Sequence, residues 1–205
     1  MRFRLAAAMF AALATLTACG GDETGQPTAQ VGGPTADVGD PTETNMDVEV
    51  PQIANPVQDL GKYEQAPCSM LTQQQAESIQ FPKTEDATEK NQPGCRWYGH
   101  RNSVTTIALQ SGKQWALAGY YEVHAKDSGA FAYFKPTTVA GFPAVFATDF
   151  DRREGGSCAM TVALTDQDVL RMSNDLFLGT AQRNDPCAQL QETAELAVKT
   201  ISAGK

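Results

Sequence analysis

The stretch FPAVFATDFDRREGGSCAMTVALTDQDVLRMS, residues 142–173, decides the fold class. In its middle part Cys158, Met160 and Val162 alternate with small or polar residues, which is the period-two pattern of a half-buried strand. Short polar turns separate the apolar runs, so neighbouring strands are expected to pair antiparallel. The predicted strands of this meander are residues 142–148, 158–164 and 169–173.

A second pair of strands precedes the meander. Residues 95–98 and 104–110 are joined by the polar turn Gly99–Asn102, which predicts a hairpin. Between the hairpin and the meander, residues 114–125 are ambiguous, and we favour a short helix there.

Helix signals flank these strands on both sides. Thr72 and Gln75 have the spacing of a capping box, which predicts a helix over residues 73–80. Asp185 is a good N-cap and Pro186 a good first residue for a second helix, which should end near Ser202. Its predicted apolar stripe is Leu190, Ala194, Ala197, Val198 and Ile201.

These elements together predict one α+β domain. We expect an antiparallel β-sheet of about five strands with an N-terminal and a C-terminal helix packed on it. The domain should cover residues 63–205, since about 143 residues suit a single hydrophobic core.

Four cysteines lie within this predicted domain. An even number in an exported domain indicates two disulfides, and four cysteines allow three connectivities. Their spacing does not match a zinc site. We favour the pairs Cys68–Cys187 and Cys95–Cys158, because the first two lie at helix starts and the other two in predicted strands.

The fifth cysteine, Cys19, follows an export signal. Residues 1–18 combine two arginines with a short apolar stretch that ends in Leu16-Thr17-Ala18, which is typical of a signal peptide. The run up to Cys19 resembles the bacterial lipobox. This resemblance implies cleavage before Cys19, acylation of its sulfur, and a protein anchored by lipid on the extracytoplasmic face of the cell membrane.

A tether is predicted between this anchor and the domain. Residues 20–62 contain eight acidic residues, one lysine, seven glycines and five prolines, and no aromatic residue. Such a composition cannot bury enough apolar surface to offset the entropy of ordering, so we expect residues 19–62 to form a lipidated, disordered spacer. Most of the net charge of -8 lies here, and that charge argues against a nucleic-acid partner.

Several short segments of the domain occur in an order that resembles a known family. They are Ala66–Thr72, Gly94–Trp97, Val139–Ala144, Gly156–Cys158 and Asp185–Cys187. The chain resembles the actinobacterial lipoproteins grouped as domain of unknown function 3558. The segment Val139–Ala144 is also similar to a segment of sandwich domains of the PsbP and Mog1 type. The first resemblance implies an extracytoplasmic, membrane-tethered protein and the second an α/β sandwich, and neither implies an activity.

No catalytic motif is found in the sequence, and no metal or cofactor is expected. His100 and His124 could act as general bases, but a surface or packing role is favoured. The acidic turn with Asp149, Asp151 and Glu154 could hold Ca²⁺, although the neighbouring arginines favour a solvated turn.

Aromatic residues leave two interpretations open. They could line a binding surface, or they could belong to the core, which is favoured for most of them. We therefore expect a non-enzymatic domain that binds a ligand or a partner at the cell envelope. The alternatives are an envelope hydrolase with a carboxylate pair that forms no motif, and a structural spacer. The aromatic residues concerned are Trp97, Tyr98, Trp115, Tyr120 and Tyr121.

Overall fold

The computed structural model describes residues 48–203. The signal peptide, Cys19 and the tether up to residue 47 lie outside the described residues. The helices are α1 (Gly61–Gln65), α2 (Gln73–Ser78), α3 (Leu117–Lys126) and α4 (Pro186–Ala203). The strands are β1 (Lys83–Asp86), β2 (Gly94–Tyr98), β3 (Val104–Ser111), β4 (Tyr133–Val139), β5 (Phe142–Thr148), β6 (Ser157–Ala163) and β7 (Asp168–Asp175).

The described strands form one antiparallel sheet in the order β1-β2-β3-β7-β6-β5-β4. The predicted hairpin is β2 with β3, and the predicted meander is β5, β6 and β7. The two units meet where β3 pairs with β7 along eight residue pairs, from Val104 with Asp175 to Ser111 with Asp168. The α+β class is therefore confirmed.

The sheet has seven strands where the sequence predicted about five. The two that were missed, β1 and β4, are its edges. Residues of β1 are polar and exposed throughout, and β4 carries Pro136 in its interior, so neither shows a strand pattern. An edge position tolerates both features, because the outward N–H groups of an edge strand need no partner in the sheet.

One face of the sheet carries the main core. The apolar side of α4 packs on it, with Leu190, Ala194 and Ile201 at or below 1% exposure. Helix α2 joins this core through Ala76 and has the predicted capping box, in which Thr72 and Gln75 bond reciprocally. The N- and C-terminal helices of the predicted domain thus pack on the same face.

The opposite face has a smaller cluster under α3. Leu117 packs there against Val145 and Ala163. Helix α3 confirms the helix favoured for residues 114–125. It begins at Leu117, three residues after the start of that segment. No helix within residues 48–203 is long and apolar enough to cross a bilayer.

The domain begins before residue 63, where the sequence placed the end of the tether. Val57 is buried, and its N–H donates to the carbonyl of Leu164 at 3.0 Å. Ile53 and Leu60 pack against the main core. The tether composition misled the prediction because isolated apolar residues among polar ones carry no periodic signal.

The predicted disulfide pairing is wrong. The structure joins Cys68 to Cys95 and Cys158 to Cys187, with Cα–Cα distances of 5.0 and 5.2 Å. Strands β2 and β6 are separated by β3 and β7, so the two strands that carry Cys95 and Cys158 are about 14 Å apart at about 4.8 Å per strand. A disulfide needs Cα atoms within about 7 Å of each other, which rules out the predicted pair.

Candidate functional site

A cleft of about 740 Å³ opens between β4 and the start of α4, and we call it the β4–α4 cleft. Strands β4 and β5 supply one wall, the loop after β5 supplies a second, and the first turns of α4 supply the third. Most of the lining side chains are polar or charged. They are Tyr133, Lys135, Phe146, Asp151, Arg153, Glu154, Asn184, Asp185, Pro186, Cys187, Ala188 and Gln191.

Arg153 is held in this cleft by an ion pair and by an aromatic ring. Its guanidinium lies 3.7 Å from the centroid of the Tyr133 ring. Asp151 accepts two hydrogen bonds from it, from Nε at 2.8 Å and from Nη2 at 2.6 Å. The Arg153 hydrogen bonds lower the pKa of Asp151 to about 2, and the carboxylate in turn raises the pKa of Arg153. Both side chains are therefore charged at neutral pH.

A buried amide sets the position of α4 beside the cleft. Asn174 of β7 accepts from the Cys158 N–H at 2.9 Å and donates to the Pro186 carbonyl at 2.7 Å and to Gln189 Oε1 at 2.8 Å. Asn174 is 1% exposed, so these bonds form away from solvent. They tie the first turn of α4 to β6 and β7, next to the Cys158–Cys187 disulfide.

Asp185, directly before α4, is the N-cap that the sequence predicted. Asp185 Oδ1 accepts from the Ala188 N–H at 3.0 Å, which is the N-cap bond. With Asp151 bound to Arg153 and Asp185 capping α4, Glu154 is the cleft carboxylate without a hydrogen bond or ion pair in the described part of the chain. A facing pair of uncommitted carboxylates, which the hydrolase alternative needs, is not formed by these three residues.

Exposed apolar side chains lie near the cleft, at the same end of the sheet. We call this the loop end, formed by residues 99–103, 149–156 and 176–185. Phe150, Phe177 and Leu178 are 71%, 53% and 71% exposed. Phe177 and Leu178 also line a smaller concavity of about 340 Å³.

The chain enters the domain at the opposite end of the sheet. Residues 50–53 lie there beside Leu117 and Thr165, and Val57 bonds to Leu164 just after β6. Strand β6 runs seven residues between the two ends, which is roughly 20 Å at about 3.4 Å per residue. The β4–α4 cleft is therefore far from the point where the preceding segment attaches.

The structure separates the two histidines and gives neither a catalytic setting. His124 stacks on Phe134 with ring centroids 3.9 Å apart, which is a packing role. His100 is exposed in the turn between β2 and β3, where its Nε2 accepts from Arg101 Nε at 3.3 Å. Neither residue lines the β4–α4 cleft.

The aromatic candidates do not form the cleft either. Trp97 is fully buried in the main core. Tyr98 donates to Glu85 at 2.7 Å, and Tyr120 and Tyr121 pack beside the smaller cluster under α3. Trp115 is half-buried in a short turn before α3. The core interpretation is confirmed for Trp97.

The acidic turn is organised by an ion pair. Asp151 binds Arg153, and Asp149 lies exposed two residues before it. Within residues 48–203 no cluster of three His, Cys, Asp or Glu side chains is arranged to hold a metal ion.

Sequence reasoning missed Tyr133, Lys135, Arg153 and Asn174. The first two lie on the unpredicted edge strand β4. A detectable signal existed for Asn174, since it continues the core-facing positions Leu170 and Met172 of β7. Arg153 was seen only as a neighbour of acidic residues.

Comparison with known proteins gives one family. The model of a family described as a protein of unknown function (DUF3558) matches residues 14–200. The chain belongs to this family. The DUF3558 match includes every residue of the β4–α4 cleft and all four cysteines of the two disulfides. It confirms the predicted resemblance to this domain.

The DUF3558 description carries no activity, and lipoprotein character remains a prediction for this chain. No curated protein matches the chain, and no solved structure matches it. The likeness to sandwich domains of the PsbP and Mog1 type therefore also stays a prediction.

Proposed function

We propose that this chain is a lipid-anchored extracytoplasmic protein whose domain binds a ligand in the β4–α4 cleft. The observation that carries the proposal is a polar cleft of about 740 Å³ built around an arginine that Asp151 and Tyr133 hold in place. This volume falls within the roughly 300–1,000 Å³ of small-molecule sites. An arginine fixed before the ligand arrives loses little side-chain entropy on binding, which favours affinity.

The position of the cleft supports the same proposal. The segment that precedes the domain enters it at the end of the sheet away from the cleft, so this point of entry does not cover the cleft.

The ligand is tested by native purification of the full lipidated protein from membranes. Small molecules released on denaturation are identified by mass spectrometry and compared among the wild type, Arg153→Gln and Arg152→Gln. Arg152 is the matched control, since it lies over Phe150 and does not line the cleft. We expect a molecule retained by the wild type and the control and depleted about tenfold in Arg153→Gln. Equal retention by all three proteins, or by none, would contradict the proposal.

The anchor is tested separately by labelling cells with an alkyne analogue of palmitate. Labelling should be lost in Cys19→Ala and kept in Thr17→Ser, which changes the signal without removing the cysteine. A Cys19→Ala protein that still carries label would show that the lipid is attached elsewhere.

A further inference from the structure

The free hydrogen-bond donors of Arg153 indicate what kind of group the β4–α4 cleft receives. A guanidinium has five N–H donors in one plane. Asp151 takes one from Nε and one from Nη2, and the Tyr133 ring covers one face of the group. The remaining N–H groups on Nη1 and Nη2 form the end-on fork, which suits a bidentate bond to a carboxylate or a phosphate. The side chain is 41% exposed, so a ligand can reach this fork.

The other charged side chains of the cleft favour a carboxylate over a phosphate. Its lining contains two cations, Lys135 and Arg153, and three carboxylates. Asp151 is paired with Arg153, and Asp185 caps α4 through a hydrogen bond from a backbone N–H. Lys135, Asp185 and Glu154 have no ion pair in the described residues, and Glu154 is the carboxylate among them that also accepts no hydrogen bond. A phosphate dianion would be repelled by the acidic majority. A singly charged carboxylate is repelled less, and a cationic group on the same ligand would be attracted to Glu154.

We propose that the ligand is a zwitterionic carboxylic acid, in the class of amino acids and short peptides. Its carboxylate binds the end-on fork of Arg153 with Lys135 nearby, and its ammonium group is attracted by Glu154. The inference rests on the proposed function, namely that this cleft holds a ligand. Each charged group of the ligand contributes, because its carboxylate meets the remaining donors of Arg153 and the charge of Lys135, and its ammonium group meets the charge of Glu154.

The test uses the full lipidated protein in detergent and a matched set of probes measured by microscale thermophoresis. The probes are trialanine, trialanine amide, N-acetyl-trialanine and inorganic phosphate. We expect trialanine to bind at least tenfold more tightly than either capped peptide and than phosphate. Removal of one charge at a time shows which end of the ligand the protein recognises.

Three variants locate the binding. Arg153→Lys keeps the positive charge and removes the planar fork, so trialanine should bind about tenfold more weakly while the weak binding of the amide is unchanged. Glu154→Gln should lower affinity for trialanine and leave N-acetyl-trialanine unaffected. Arg152→Gln should bind trialanine as the wild type does. Circular dichroism melts confirm that each variant is folded, and Lys135→Gln on the exposed edge strand provides a second reporter if Arg153→Lys unfolds.

Equal binding of trialanine and its amide, tighter binding of phosphate, or no binding of trialanine to the wild type would each overturn the inference. Such a result leaves the proposed function intact if a co-purified molecule is still lost in Arg153→Gln. Loss of that dependence would instead refute the cleft as a binding site.

Discussion

The two ends of α4 use different chemistry to contact the same sheet. Its C-terminal half buries Ala197, Val198 and Ile201 in the main core. Its N-terminal turns bury Gln189 and Thr193 in a hydrogen-bonded network with Asn174 of β7, and expose their outer side to the β4–α4 cleft. Apolar packing tolerates small shifts, whereas directional bonds fix position. Leu190 in the N-terminal turns is also fully buried, so both ends stabilise the fold, and the bonds to Asn174 distinguish the end beside the cleft.

The largest effect should come from the apolar end. Ile201→Ala removes a side chain that is 1% exposed and leaves a cavity, so we expect a loss of about 2–5 kcal/mol in the free energy of unfolding. Urea denaturation measures it, with the exposed Lys199→Ala on the same helix as control. Ligand binding by the folded fraction should be unchanged. A protein as stable as the control would mean that α4 is not held by this core.

The second largest effect is expected from the Cys158–Cys187 disulfide, which lies at the N-terminal turn of α4. Replacing both Cys158 and Cys187 by alanine opens a loop with a sequence separation of 29, and the chain-entropy model gives a cost of about 3–4 kcal/mol. The double replacement of Cys68 and Cys95 opens a loop of nearly equal separation, 27, and is the matched control for stability. Both should lower the melting temperature by a similar amount, and only the first should weaken ligand binding. Equal binding losses would contradict a positioning role for Cys158–Cys187.

Asn174 tests the directional bonds themselves. Asn174→Ala leaves the Cys158 N–H and the Pro186 carbonyl without their partner in a buried position, so we expect a loss of about 1–3 kcal/mol. Chemical denaturation measures the stability, and amide hydrogen exchange measures the first turn of α4. Exchange should accelerate at the N-terminal turns and stay slow near Ile201. Uniform acceleration along α4 would show that its two ends are not distinct.

The sequence predicted the apolar stripe of α4 but did not predict the β4–α4 cleft. The apolar end of α4 was predicted residue by residue, since its stripe has helical periodicity and Asp185-Pro186 marks its start. The cleft was not predicted, because one wall is the edge strand β4, whose exposed Lys135 and Pro136 interrupt any strand pattern. The disulfide pairing depends on which strands are neighbours. Local patterns could not reveal that β3 and β7 separate Cys95 from Cys158.

The smallest effect concerns the ion pair of Asp151 with Arg153. The pKa of Asp151 is lowered to about 2, first by the side-chain hydrogen bonds from Arg153 and then by the bond from its backbone N–H. A carboxyl with a lowered pKa in the folded state contributes stability above its unfolded pKa, and that contribution is lost as the pH falls toward the folded value. The contribution of Asp151 to the free energy of unfolding is therefore lost between about pH 4 and about pH 2.

Carbon-13 NMR of the Asp151 carboxyl measures this titration directly. We expect a midpoint near pH 2 in the wild type and a higher midpoint in Arg153→Gln, still below that of an ordinary aspartate because the backbone N–H of residue 153 remains. Arg152→Gln should titrate as the wild type, since Asp151 accepts no side-chain hydrogen bond from Arg152 in the structure. The pair is exposed and should change global stability little. If Asp151 titrated normally in the wild type, Arg153 would not be held, and the fixed fork on which the ligand class depends would be lost.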